Sequence, residues 1–157
     1  MPKVGCEVAV RVPASTLTRL VASLVAIGSA TVLGVAMTLT PSPTGVGTHT
    51  QLGLPPDPIL HATDVPMPGC GMTTSFAWFV RGKLLASIFV EPMGALLAAL
   101  TATAVPLGLF IGITGRPVHR RLAPLLRRRV LVILIAFAAL SWSWKVLIHV
   151  NGWDGWR

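Results

Sequence analysis

The chain has little charge, little acid and little cysteine. Only 11% of its 157 residues are Asp, Glu, Lys or Arg. A soluble domain carries about a quarter, so much of this surface faces something other than water. The mean hydropathy of +0.73 agrees. Five acids stand against thirteen Lys and Arg, for a formal net charge of +8. Such an excess raises nucleic acid as a partner, but the placement of the charges argues against it. Most of them flank apolar segments, with no aromatic-basic motif and no charge-rich soluble region to carry one. The two cysteines, Cys6 and Cys70, are far apart and lie in no CxxC or Cys/His metal spacing. A disulfide framework is not indicated, and neither a metal nor a cofactor is expected.

What the chain does have is long apolar runs. Leu20 to Leu39 holds twenty residues without a charge, the length that crosses a bilayer core. A signal peptide is the rival reading. The run exceeds the usual h-region of about 7–15 residues and no clean A-x-A site follows, so 20–40 reads as a retained transmembrane helix. Residues 92–114 form a second charge-free span, with a kink predicted at Pro106. Residues 130–150 form a third, with Lys145 near its far end, where it can snorkel to headgroups or pair with Asp154. The expected fold is an all-α integral membrane protein of one domain. It has three transmembrane helices and a short interfacial or re-entrant helical element between the first two.

The connecting segments differ in character. Residues 1–19 are a mixed tail. Residues 41–68 hold seven prolines and read as an extended outer loop that is neither helix nor strand. In 69–91 an apolar stretch is interrupted by Arg81, Gly82 and Lys83, which predicts two short helices hinged near Gly82. Phe76, Phe79, Val80, Leu84 and Ile88 fall near one face of it. The 115–129 loop carries Arg116, Arg120, Arg121, Arg127, Arg128 and Arg129 and no acid. These six arginines fix topology and are candidate contacts for anionic lipid headgroups. Residues 151–157 are a short tail.

Orientation follows from the positive-inside rule. The N-terminal tail and the 115–129 loop hold nine of the thirteen Lys and Arg, and belong on the cytoplasmic side of an inner membrane. The C-terminus, the proline-rich loop and Cys70 then lie outside. All five tryptophans fall at or beyond the outer interface, where indole rings prefer to sit. Cys6 and Cys70 are on opposite sides, so they cannot pair. Small residues recur every fourth position at Ala22, Ala26, Ala30 and Gly34, at Gly94, Ala98 and Ala102, and at Gly108 and Gly112. Such ladders suit close helix packing, within the chain or between copies.

Chemistry is concentrated in one stretch: Pro68-Gly69-Cys70-Gly71-Met72-Thr73, then Arg81-Gly82, then Glu91-Pro92. The two glycines supply a positive φ or a close backbone approach. Thr73 or Thr74 is the expected N-cap of the following helix. Cys70 reads as a small residue in a tight turn. Its functional alternative is a nucleophilic or redox thiol activated by the helix start. No histidine is close in sequence, since His61 lies nine residues upstream, so any base must come from the fold. Glu91 is a candidate partner for Arg81 or Lys83.

This order of motifs resembles an uncharacterised bacterial membrane family, domain of unknown function 2752, over roughly residues 60–115. Its members look like C-P-x-C-G-x-T-R, a short apolar helix ending in R-G-D, then an N-P step into a transmembrane helix. Pro68, Gly69, Cys70, Gly71, Thr73, Arg81, Gly82 and Pro92 stand at matching positions. Met67 takes the place of the first cysteine, Thr74 that of the arginine and Glu91 that of the asparagine. A paired-thiol clip therefore does not carry over, and a single thiolate makes no zinc site. The resemblance supplies no activity.

The leading reading is a structural, accessory or interaction component of the membrane, with the bilayer and other membrane proteins or further copies as partners. The alternative is a membrane enzyme or thiol-dependent factor acting at the outer face around Cys70. A third is a subunit of a small oligomeric transporter. Against that third reading, the spans carry almost no ionisable residues, which usually mark a pathway.

Overall fold

The computed structural model describes residues 15–115, 128–153 and Trp156. Every regular element among them is helical. In chain order these are α1 (Thr16–Thr38), a 3-10 turn (Thr48–Leu52), α2 (Pro58–Thr63), α3 (Met72–Val80), α4 (Leu84–Val90), α5 (Pro92–Thr114) and α6 (Arg128–Val150). Helices α1, α5 and α6 have 23 residues each and are long and apolar enough to cross a membrane. At 1.5 Å per residue each spans about 34 Å, against a hydrocarbon core of about 30 Å. The chain thus has the build of a multi-pass membrane protein, with short helices between its first two long ones.

The packing is inverted relative to a water-soluble core. Apart from Ile111, the buried positions of α1, α3 and α5 are small or hydroxylic, among them Ala26, Ala36, Thr74, Ser75, Ala77, Gly94 and Ala98. Large aliphatic side chains point away, with Leu24 67%, Ile113 76% and Leu140 68% exposed. In lipid a leucine gains nothing by leaving the surface, so close backbone approach decides which residues face inward. The apolar face expected over 73–90 is corrected on the same ground. Leu84, Leu85 and Ile88 are exposed, while Thr74, Ser75, Ala86 and Ser87 are buried.

Helices α1 and α5 pack antiparallel through the small-residue ladders. A Cβ on Gly108 would lie 2.5 Å from the Ala22 carbonyl oxygen and 2.9 Å from the Ala26 Cβ. The far half of the α1 ladder is not used in this way, since Gly34 has no atom within 4 Å of such a Cβ. Arg19 lies inside α1 rather than before it. Its guanidinium donates to the Gly112 carbonyl at 2.9 Å and to that of Ile113 at 3.4 Å, satisfying acceptors at the end of α5 that have no intrahelical partner.

The 41–68 connection departs from expectation, because it contains a 3-10 turn and a helix. Proline excludes a helix only where its missing N–H is needed. Pro58 occupies the first turn of α2, where that N–H has no intrahelical acceptor. Asp57 caps the helix, its Oδ1 accepting from Ile59 N at 3.0 Å and Leu60 N at 3.4 Å. Gln51 then ties the loop to the end of α1. Its amide donates to the Thr40 carbonyl at 2.7 Å and its oxygen accepts from Thr40 N at 2.9 Å.

Helices α3 and α4 form a hairpin across the 81–83 turn, where Gly82 has φ +74°. A hydroxyl cluster closes it. Ser75 Oγ lies 2.8 Å from Ser87 Oγ, 2.9 Å from the Ser87 carbonyl and 3.2 Å from the Glu91 carbonyl. Helix α6 is held differently, burying only Ser141, Lys145 and Ile148. That i, i+4, i+7 stripe is confined to its C-terminal half.

The glycine contact gives a direct test. Gly108→Ala should destabilise the detergent-solubilised protein by roughly 1–3 kcal/mol, as overpacking does, whereas Gly34→Ala should be neutral. Thermal unfolding of both variants, followed by circular dichroism, measures the contrast.

Candidate functional site

The Cys70 motif lies at the end of the bundle where α1 finishes and α5 begins. Cys70 N donates to the Met67 carbonyl at 2.9 Å, closing a turn over Met67-Pro68-Gly69-Cys70. Gly71 follows with φ +92° and occupies the N-cap of α3. Thr73 and Thr74, expected to cap, do not. The Thr74 hydroxyl instead lies 2.7 Å from that of Thr48, fastening α3 to the 3-10 turn. Gly71 has a second reason to be glycine: a Cβ there would come 2.9 Å from the Gly45 carbonyl oxygen and 3.3 Å from Lys145 Nζ. Gly69 has neither a positive φ nor a crowding neighbour.

The fold brings Cys70 a carboxylate from thirteen residues upstream. Its thiol donates to Asp57 Oδ2, and both residues are buried. The thiol bond, with the Leu60 and Ile59 amides behind it, holds the Asp57 carboxyl below the usual carboxylate range. Burial first, and the adjacent carboxylate second, push the Cys70 thiol up to about 11. At neutral pH Cys70 is therefore a protonated donor. The helix start does not activate it, because loss of solvent around a thiolate outweighs a partial dipole.

Lys145 completes the cluster from α6. It does not snorkel: it is fully buried, and its ammonium donates to the Gly45 carbonyl at 3.2 Å beside Gly71. It lies within electrostatic reach of both Cys70 and Glu91. Glu91 is 1% exposed and meets neither Arg81 nor Lys83 in the way its position suggested. Glu91 Oε1 accepts from the Ser141 hydroxyl, which in turn accepts from Met93 N at 2.9 Å. Glu91 Oε2 is buried without a hydrogen-bond partner among the described residues.

Arg81 turns the other way. Its guanidinium donates to Leu39 O at 2.6 Å, Met37 O at 3.2 Å, Ala36 O at 3.5 Å and Ala77 O at 2.7 Å. Only a five-donor fork can satisfy so many carbonyls at once. Lys83 rests on the face of Trp78, 4.8 Å from the ring centroid. Two indoles add pins between α6 and the head, Trp142 Nε1 donating to Pro66 O and Trp144 Nε1 to Phe89 O, both at 2.9 Å. Of the motif residues, the fold thus joins Cys70 and Gly71 to Lys145, Arg81 to the end of α1, and Pro92 to the first turn of α5. Pro68, Gly69 and Gly82 are exposed turn positions. Arg128 and Arg129 are exposed at the start of α6, and Arg116, Arg120, Arg121 and Arg127 lie outside the described residues.

The segment that carries this geometry is the one that matches a known family. A family model described as "Protein of unknown function (DUF2752)" matches residues 58–105. The chain is similar to that family over about a third of its length, from the first turn of α2 into α5. The match contains Cys70, Arg81, Glu91 and Pro92, whereas Asp57, Ser141 and Lys145 fall outside it. No curated protein and no solved structure matches the chain.

Asp57 and Lys145 are the functional candidates that sequence reasoning missed. Pro-Asp-Pro is a cap signal that could have flagged Asp57. Nothing local could have placed Lys145 beside a turn seventy-four residues earlier. Among the described residues no three His, Cys, Asp or Glu side chains are placed to hold a metal.

The thiol–carboxylate contact sets a pH signature. The folded state binds the Cys70 proton more tightly than the unfolded chain does. Its contribution to stability is therefore complete below about pH 9 and is lost as pH rises towards about 11. Maleimide labelling of the folded protein should accelerate across that range without a plateau near pH 9. Asp57→Asn should shift the labelling profile to lower pH.

Proposed function

We propose that this protein is a non-catalytic structural or accessory component of a membrane. Residues 39–91 form a fixed head on one end of a three-helix bundle. The observation that carries this reading is how the motif side chains are used. The Cys70 thiol is donated to Asp57, the Arg81 fork to four carbonyls and the Ser75 hydroxyl to the α3–α4 hairpin. Cys70 and Arg81 are occupied inside the chain, and Glu91 is held through one of its oxygens by Ser141, which suits a rigid surface presented to a partner better than a reaction centre.

A thiol-dependent factor is the second reading, favoured by one observation: a carboxylate in contact with Cys70 and a lysine within electrostatic reach of it. The two readings part at Cys70→Ser, which keeps a donor for Asp57 and removes sulfur chemistry. On the structural reading the serine variant complements a deletion strain fully. Cys70→Ala leaves Asp57 short of a donor and lowers stability by roughly 1–3 kcal/mol. Failure of a stably folded serine variant to complement would establish the thiol reading instead.

We infer further that the N-terminus and the 115–129 loop face the cytoplasm and that the head lies outside, on the distribution of Lys and Arg. A phosphatase reporter that is active only outside the cytoplasm should report activity when fused after Trp156 and none when fused within 115–127. The reverse pattern would invert the topology.

A further inference from the structure

The connection between α1 and α3 is almost bare of charge. Residues 39–69 contain two acids, Asp57 and Asp64, and no Lys or Arg. Asp57 is buried, so Asp64 is the one charged side chain that this stretch exposes. A surface that faces water carries about 25–35% charged residues. Here exposed positions are held instead by Leu52, Leu54, Ile59, Val65 and Met67.

The backbone of the stretch is also short of free donors. Its seven prolines have no N–H. Other donors are used inside the chain: Thr40 N by Gln51, Ser42 N by the Thr48 hydroxyl, Gly45 N by the Ser42 carbonyl, and Ile59 N and Leu60 N by Asp57. Irregular backbone is tolerated at membrane depth where protein meets its polar groups. A protein partner would find few donors here, although protein interfaces carry roughly one hydrogen bond per 100–200 Å². Acyl chains require none.

The depth of the stretch follows from α6. Ser141 meets Met93 N in the first turn of α5, and α6 runs on from 142 to 150, about 13 Å further at 1.5 Å per residue. That extension keeps a lipid-type surface, with Leu147 and Val150 exposed. The loop is fastened along it. Trp142 Nε1 donates to Pro66 O at 2.9 Å, Lys145 Nζ donates to Gly45 O at 3.2 Å, and His149 Nε2 lies 3.5 Å from Asp64 Oδ1. All three contacts fall within one apolar helix long enough to cross a bilayer, so the loop shares the depth of that helix's last third.

We propose that residues 39–69 are sunk into the edge of a lipid leaflet. Leu52, Leu54, Ile59, Val65 and Met67 lie among the glycerol groups and the headgroup ends of the acyl chains. The partner of this surface is lipid. The inference is the same whichever side of the membrane the head occupies, and whether or not Cys70 reacts.

The test is fluorescence quenching of the full chain in liposomes. Leu54→Cys, Ile59→Cys and Met67→Cys are made singly in a background of Cys6→Ser and Cys70→Ser, and labelled with nitrobenzoxadiazole maleimide. All three sites are exposed, so the cysteine removes little packing, and helicity by circular dichroism should be unchanged. Phosphatidylcholine brominated near the glycerol end of its chains should quench all three, as strongly as it quenches a dye at Leu140→Cys on the exposed side of α6. Iodide, equilibrated across the bilayer, should quench a dye at Asp64→Cys and leave the three largely unquenched. Iodide quenching of all three at the level of Asp64→Cys would place the loop in water and overturn the proposal. Protection of the three from both quenchers would assign the surface to a protein contact and overturn it equally.

Discussion

A lysine ammonium cannot be enclosed in an apolar interior without oxygen atoms around it, and the head of this protein is arranged around that requirement. Lys145 leaves α6 and ends against the Gly45 carbonyl, beside a residue with no side chain and within reach of Glu91. Removing a charge from water costs several kcal/mol even after relaxation, so the slot must be built before it stabilises anything. Its walls come from the 41–47 loop, the Cys70 turn and the start of α5. Each wall is fixed by its own polar contact: Thr48 with Thr74, Asp57 with Cys70, and Ser75 with the Glu91 carbonyl. The proline-rich loop is ordered because it forms part of this site.

The same need for partners explains the two arginines used as caps. A helix that ends near the bilayer leaves carbonyls without donors, and water is scarce there. Arg19 serves the end of α5 and Arg81 serves the end of α1. Both contacts tie together elements far apart in sequence, so satisfying the helix ends also fixes how the helices sit. Burial of large apolar groups contributes little to that choice, as the outward-facing leucines and isoleucines show. Specificity in this bundle comes from glycine contacts and from hydrogen bonds.

The legible part of the fold was the part that depends on one dimension. Charge-free runs of about twenty residues marked the three long helices, and Arg81-Gly82-Lys83 marked the hinge between α3 and α4. Helix ends were less legible, because Arg19 and Arg128 lie inside helices that a charge count would start later. The short helix after Pro58 was hidden by a rule that holds only inside helices. Within the candidate site, Gly71 and Arg81 were identified from local pattern, but their reasons were not. Gly71 answers to Lys145 and Arg81 to the end of α1, contacts made across 74 and more than 40 residues of chain. Cys70 could be located from sequence, yet whether it is acid or nucleophile depends on Asp57, and only the folded loop brings that carboxylate near.

The slot for Lys145 also orders events during synthesis. The Gly45 carbonyl, Gly71 and Glu91, which lie around it among the described residues, are all translated before α6. Without α6, Glu91 and the Gly45 carbonyl would face a space with no cation in it. The last long helix then docks by its C-terminal half, and the lysine acts as a completion signal: a chain with an incorrectly packed head has nowhere to put it. Burial of a single charge in the last third of the chain is in this way conditional on the packing of the first two thirds.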